Sequence, residues 1–326
     1  MKKILAVLVA LLMVFTLAGC SGEAAPADGG DDAAADTIKV GVTIYTFDDN
    51  FMTLYRNNIQ SYFDALDGYE VQIENADNDM AKQTEQVNTF ISQGVDVLIV
   101  NLVQTSSGEV IADLCEEAGI PVVFINREMA DYDYPADQCY VGADARDSGT
   151  YQGQIIYDLP EHGDVNGNGV VDYIMIKGDP ENSDAQFRTE FSIKYLTDNG
   201  VEVNCLYEET GMWEQAKGQE LVAAALSQYG NDIDVVFCNN DAMALGAYQA
   251  IDAAGRVVGE DIYLVGVDAL DECVEMVNNG TMTGTVLNDA VGQATAACEA
   301  AIAFAKGETP ANYPINYVPY VMVTKD

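Results

Sequence analysis

Lys39-Val-Gly-Val-Thr-Ile-Tyr45, followed by Thr46-Phe-Asp48-Asp-Asn-Phe-Met52, decides how the chain is organised. The run from Val40 to Tyr45 is apolar and β-branched enough for a buried strand. Beyond it, Phe51, Leu54, Tyr55, Ile59, Tyr62, Phe63 and Leu66 recur at helical spacing, which starts a helix near Asn50. Asp49 and Phe51 therefore stand at the carboxyl end of a strand, where open α/β sheets bind their ligands. A carboxylate accepts hydroxyl hydrogen bonds, and an aromatic ring covers the weakly apolar C–H face of a sugar. The same two residues equally suit a helix-capping Asp and a core Phe.

Apolar strand runs alternate with amphipathic helical patterns from Lys39 to the C-terminus, the signature of an α/β protein with doubly wound parallel sheets. The predicted strands are Lys39–Tyr45, Tyr69–Glu74, Val97–Asn101, Pro121–Ile125, Tyr173–Lys177, Val201–Tyr207, Val235–Cys238 and Tyr263–Val267. Most are followed by polar residues: Asp49, Asn101, Asn126, Asp179, Asn239 and Asn240, and Asp268. A buried parallel sheet places those strand ends along one edge, so the polar groups should converge there. The turn-rich stretch Cys139–Asp144 is expected to carry the chain from one sheet to another.

Upstream, Lys2 and Lys3 precede an apolar run from Ile4 to Ala18, the plan of a secretory signal peptide over residues 1–19. It ends in Leu17-Ala18-Gly19-Cys20, which resembles a bacterial lipobox, so Cys20 is the expected site of lipidation and the only tie to a membrane. Residues 20–36 are Ala, Gly, Asp, Ser and Pro and read as a flexible linker. The remainder is long enough for two domains with proper cores. With 14 basic against 53 acidic residues the formal charge is −39, which excludes nucleic acid and anionic lipid surfaces as partners. Of seven Cys, the six beyond Cys20 match no metal or disulfide spacing, so buried free thiols are expected.

Asp164-Val-Asn166-Gly-Asn168-Gly169-Val170-Val-Asp172 has the oxygen spacing of an EF-hand calcium loop: side-chain oxygens at positions 1, 3, 5 and 9, Gly169 at 6, and the Val170 carbonyl at 7. Met175 stands at position 12, where the bidentate Glu belongs, so the closing carboxylate must come from elsewhere. An Asx-rich turn is the other reading of this stretch. Asp184 and Arg188 are four apart on one helical face, suited to an ion pair or to a shared hydroxylated ligand. Trp213, the only Trp, lies just before a helical run and suits either stacking on a ligand or core packing. Catalytic constellations are poor. The one His, His162, sits in a polar turn, and there is no nucleophile elbow, phosphate-binding loop or Cys/His zinc spacing. Asn side chains and an Arg suit recognition better than acid–base work, so no enzyme is expected, although paired carboxylates of a glycosidase remain an alternative.

Together these motifs resemble the galactose/glucose-binding proteins, the branch of periplasmic binding proteins of type I that feeds sugar ABC transporters. The resemblance runs from about Lys39 to Val323 and rests on Gly41–Tyr45, Asp48–Met52, Asn239–Met243, Val265–Ala269 and Gly284–Ala290. It implies two lobes joined by a three-strand hinge, residues 37–143 plus 289–317 and residues 144–288 plus 318–326, that close on a monosaccharide. It further implies that Phe51 and Trp213 sandwich a pyranose while Asp49, Asn126, Asp184, Arg188, Asn240, Asp268 and Asn288 bind its hydroxyls. Asn182 replaces the usual sugar-contacting His, which changes the reach of that donor. A distant acid closes the calcium loop in such proteins, and Asp234 matches it, giving Asp164, Asn166, Asn168, Val170, Asp172 and Asp234 as ligands of a structural Ca2+. The implied role is extracytoplasmic delivery of D-glucose or D-galactose to an ABC permease by a lipid-anchored monomer. Sensing through a chemoreceptor or sensor kinase is the alternative. A repressor of the same core fold would need a DNA-binding segment where this chain has a signal peptide and acidic linker.

Overall fold

The computed structural model describes residues 37–129 and 131–325. The expected signal peptide, Cys20 and linker lie outside the described residues. Twelve strands and nine helices alternate through the described residues, in the order expected of βα units. In the first part of the chain these are β1 (Ile38–Ile44), α1 (Asn50–Asp64), β2 (Tyr69–Asn75), α2 (Met80–Gln93), β3 (Val97–Val100), α3 (Gly108–Ala118), β4 (Val122–Ile125) and β5 (Gln138–Gly142). Then come α4 (Ala145–Tyr157), β6 (Val171–Lys177), α5 (Ser183–Asp198), β7 (Val203–Thr210), α6 (Gln215–Tyr229), β8 (Val235–Cys238), α7 (Asp241–Ala253), β9 (Tyr263–Val265), α8 (Asp271–Asn279) and β10 (Gly284–Leu287). The chain finishes with α9 (Ala290–Ala305), β11 (Ile315–Tyr317) and β12 (Val321–Thr324).

The strands form two six-stranded sheets, ordered β11-β5-β4-β3-β1-β2 and β12-β10-β9-β8-β6-β7. The first is parallel throughout. The second is parallel except for its edge, where β12 runs antiparallel to β10. The chain crosses between sheets three times: from β5 into α4, from β10 into α9, and from β11 to β12. The stretch from Cys139 is thus not turn-rich. It is the buried strand β5, and the crossing follows at residues 143–144.

Each sheet is covered on both faces, which is why its strands read as near-continuous apolar runs. Phe51, Tyr55, Ile59 and Phe63 of α1, at intervals of four, pack with Ala294, Ala297 and Ala301 of α9 against one face of the first sheet. Phe90 and Ile111 cover its other face. In the second sheet α6 and α7 bury Val222, Leu226 and Ile251 on one side, and α4 and α5 bury Ile156 and Leu196 on the other. All six cysteines here are free. Five are buried, and Cys205, on the edge strand β7, is exposed. No described helix is long and apolar enough to cross a membrane.

Candidate functional site

The carboxyl ends of β1, β4, β6, β8, β9 and β10 face one another across the junction of the two sheets and surround one cavity. Asp49, Phe51, Asn126, Asn182, Arg188, Trp213, Asn240, Asp268 and Asn288 all line it. Asp184 does not. It sits behind Arg188, 5% exposed, and accepts a hydrogen bond from Nη2 of that residue at 3.1 Å. Tyr45, Met52 and Arg127 also line the cavity, and the sequence reading missed all three.

Several of these side chains serve the fold and the cavity at once. Asp49 caps α1, its Oδ1 accepting from the Met52 amide at 2.7 Å, while its Oδ2 accepts from the Tyr45 hydroxyl at 2.8 Å. Capping and facing the cavity are therefore not rival readings of Asp49. Phe51 likewise belongs to the α1–α9 core and also lines the cavity. Asn182 caps α5 through Oδ1, which accepts from the Asp184 amide at 3.0 Å. Its amide nitrogen is left to donate into the cavity. Asn240 caps α7 and donates to the Trp213 carbonyl at 3.2 Å, tying the Trp213 backbone down.

Trp213 is held by unusual backbone: Met212 and Trp213 both have positive φ, 53° and 68°. Its ring lies over Gly178, where a Cβ would fall 2.1 Å from ring carbons, so only glycine leaves room for it. Asn126 and Asp268 also have positive φ, 62° and 126°. Such conformations cost on the order of 1–3 kcal/mol each and collect where a ligand site fixes side-chain direction.

Two buried guanidinium groups set the electrostatics. Arg188, 3% exposed, donates to the Asn239 carbonyl at 2.8 Å, to Asp184 Oδ2 at 3.1 Å and to the Tyr320 hydroxyl at 3.1 Å, and its Nη1 lies 3.9 Å from Asp268 Oδ1. Burial alone would pull its pKa down, but Tyr320, Asp184 and Asp268 push it up on balance. Burial raises the carboxyl groups of Asp184 and Asp268 above the usual range, with Arg188 opposing it. Asn288 donates to Asp268 Oδ1 at 3.2 Å and is itself held by Gln293 at 2.5 Å. Arg127, 2% exposed, stacks on the Tyr45 ring at 3.7 Å, donates to the Val103 carbonyl and lies 4.0 Å from Asp179 Oδ2. The Nε atoms of Arg127 and Arg188 and the Trp213 indole nitrogen are buried without a partner. Buried donors of this kind need an acceptor.

The calcium-like loop also comes together. Asp234, from the turn before β8, accepts from the Val165, Asn166 and Asp172 amides at 3.2, 2.9 and 2.9 Å. Asp164 accepts from the Gly167, Asn168 and Gly169 amides. The Asn168 amide nitrogen donates to Asp172 Oδ2 at 2.7 Å, and that of Asn166 to Asp234 Oδ2 at 3.1 Å. Among the described residues no three His, Cys, Asp or Glu side chains form a metal-holding group by themselves. The donor set nonetheless fits a hard cation, since an Asn amide that turns its oxygen inward supplies the neutral ligands the carboxylates lack. His162 is remote from the cavity, stacked on Tyr157 at 4.4 Å.

A family model for the periplasmic binding protein domain matches residues 40–309. The chain belongs to the periplasmic binding protein family. This periplasmic binding protein is 35% identical over 309 residues to the D-galactose/methyl-galactoside binding periplasmic protein MglB of Haemophilus influenzae, covering 90% of this chain and 91% of that one. It is 37% identical over 294 residues to a putative rhizopine-binding protein of Rhizobium meliloti, covering 90% and 92%. Among solved structures, an ABC transporter solute binding protein from Bacillus halodurans with bound myo-inositol superposes with a TM-score of 0.80 at 28% identity, covering 90% of this chain and 96% of that one. The two six-stranded parallel-sheet lobes are the type I form of the fold. The protein is a binding protein and not an enzyme, and the family works outside the cytoplasm.

Proposed function

We propose that this protein binds D-galactose or D-glucose and delivers it to a sugar ABC permease. One observation carries the reading. Phe51 from the first lobe and Trp213 from the second line a single cavity whose other walls are Tyr45, Met52, amides, carboxylates and two guanidinium groups. Those groups match a pyranose, which has two weakly apolar faces and a rim of hydroxyls. Arg127, Arg188 and Trp213 each have a buried N–H in want of an acceptor, and sugar oxygens supply it. The curated relative named for galactose supports the choice of sugar. Because the walls come from both lobes, binding favours the closed arrangement by hinge motion, and a permease distinguishes loaded from empty by that difference.

The test is a thermal-shift and calorimetry panel of hexoses, pentoses and cyclitols. Galactose or glucose should give the largest rise in melting temperature, since a ligand of the folded state stabilises by mass action. A larger shift with myo-inositol than with either hexose would make the site a cyclitol site. The solved relative with bound myo-inositol motivates that second reading, because both ligands are six-membered polyhydroxylated rings.

Two further assignments belong to the same proposal. The Asp164–Asp172 loop with Asp234 takes a Ca2+ ion through Asp164, Asn166, Asn168, the Val170 carbonyl, Asp172 and Asp234. A chelator should then lower the melting temperature of protein prepared with calcium, and an unchanged melting temperature would leave the loop as an Asx-rich turn. Cys20 carries the lipid that holds the protein at the cell surface, and mass spectrometry of the mature N-terminus should find diacylglycerol there. A mature chain starting elsewhere would remove the anchor.

A further inference from the structure

Asp241, the first residue of α7, is fully buried and does not line the cavity. Among the described residues no cation stands within ion-pair distance of it. A buried carboxylate without a paired cation costs stability, so packing alone does not account for this one. Burial raises its carboxyl to about 6, against the pull of the Thr285 hydroxyl, the Leu270 amide, Cys273 and Arg188, so at pH 7.5 it is largely ionised and able to accept through both oxygens.

What those oxygens hold is the segment between β9 and α8. Oδ2 accepts from the Leu270 amide at 2.9 Å. Oδ1 accepts from the Thr285 hydroxyl at 2.7 Å, and that hydroxyl in turn accepts from the Ala269 amide at 3.4 Å. The Asp241 amide donates to the Val267 carbonyl at 2.7 Å. One residue thus grips the chain on both sides of Asp268, which lines the cavity and accepts from Asn288. Asp268 and Ala269 both carry positive φ, 126° and 52°, and residues other than glycine keep such conformations only where surrounding contacts over-determine them. The approach is close as well. A Cβ on Gly266 would fall 2.2 Å from Asp241 Oδ1, so glycine is what lets the carboxylate reach the backbone just past β9.

We propose that Asp241 is a positioning residue for ligand binding: through Leu270 and Thr285 it fixes the strained backbone of Asp268 and Ala269, and so the direction in which the Asp268 carboxylate meets the ligand. This rests on the sugar reading of the cavity and extends it to a residue behind the cavity wall. Asp241→Asn keeps the shape but turns one of the two acceptors into a donor, so either Thr285 or Leu270 loses its partner.

The experiment is calorimetry at pH 7.5 on the purified protein, with D-galactose, D-glucose or myo-inositol, whichever binds tightest, run as a double-mutant cycle. Asp241→Asn should weaken binding about tenfold in the wild-type background and by less than about threefold in Asp268→Ala, where no carboxylate is left to direct. A loss of the same factor in both backgrounds would make Asp241 a residue of general stability, and native affinity in Asp241→Asn would overturn the positioning role outright. Thr285 supplies a second arm, which decides the matter where an Asp variant fails to fold or binds too weakly to measure. Thr285→Val, which removes the hydroxyl, should weaken binding about threefold or more, and Thr285→Ser, which keeps it, should restore affinity to within about twofold of the wild type. Equal affinities in these two variants would overturn the proposal. If the wild-type protein binds none of the three ligands, the sugar reading itself fails and this proposal with it, whereas wild-type binding with an unmoved Asp241→Asn overturns this proposal alone.

Discussion

Arg188→Met tests whether the buried charges of the site are held by one guanidinium. The substitution keeps much of the side-chain volume but removes the hydrogen bonds to Asp184, Tyr320 and the Asn239 carbonyl, and the cation 3.9 Å from Asp268. Asp184 and Asp268 are 5% and 6% exposed, so neither can turn to water, and Arg127 remains only as a weaker influence on Asp184. Breaking one side of a buried ion pair costs about 3–5 kcal/mol. With a urea m-value of about 3 kcal/mol/M that is a midpoint lowered by roughly 1–1.7 M at pH 7.5. The pH dependence gives the sharper readout. Burial already raises both carboxyl groups above the unfolded value of about 3.9, and loss of Arg188 raises them further. A group raised in the folded state contributes its stability at low pH and loses it as pH rises through the folded value. The deficit of the variant should therefore be full at pH 7.5 and narrow markedly by pH 5, as the two carboxyls take up protons. Urea unfolding of both proteins at the two pH values measures it. A deficit of the same size at both would show that Arg188 is not compensating these acids. Arg188→Lys, which keeps the charge and loses the planar fork, should fall between the two.

Two other outcomes follow from the same geometry. Asp49→Ala should lower hexose affinity by about ten- to a hundredfold, since a hydrogen bond to a charged group is worth about 1.5–3 kcal/mol, and should also cost about 1 kcal/mol of stability through the lost cap. Asp49→Asn retains the cap, so calorimetry showing the affinity loss in Ala but native stability in Asn separates the two roles, whereas native affinity in Asp49→Ala takes Asp49 out of the ligand shell. Gly178→Ala places a methyl against the Trp213 ring. It should weaken sugar binding several-fold and shift the emission of the single Trp, and an unchanged spectrum would mean that the ring does not lie over Gly178.

What could be read from the sequence was whatever depends on local pattern. The spacing of Phe51, Tyr55, Ile59 and Phe63 gave α1 and its buried face; of two others counted in that pattern, Leu54 is 45% exposed because it flanks the stripe, and Leu66, 38% exposed, lies in the turn beyond the end of α1. Polar residues after strands marked the cavity edge, since a parallel sheet must put those ends together. Short strands were harder. β5 looks turn-like because Gly142 and Asp144 follow its apolar core, and β11, of three residues, lacks the length for a period to show. Arg127 was missed for a different reason. A lone Arg after a strand reads as a solvated residue, and it is buried only because Tyr45 and Asp179, far away in the chain, close over it. Its position next to Asn126, in a chain with only 14 basic residues, was the available clue. The family resemblance placed Asp184 on the ligand, whereas its helical spacing from Arg188 also suited an ion pair, and it sits behind the guanidinium.

Fluorescence decides whether a sugar lies on the indole. Trp213 is the only tryptophan in the chain, so its emission reports one wall of the cavity and nothing else. Titration with galactose or glucose should give a saturable change whose midpoint matches the calorimetric affinity. A sugar that binds by calorimetry and leaves the emission untouched would place the ligand away from Trp213 and undo the two-lobed clamp.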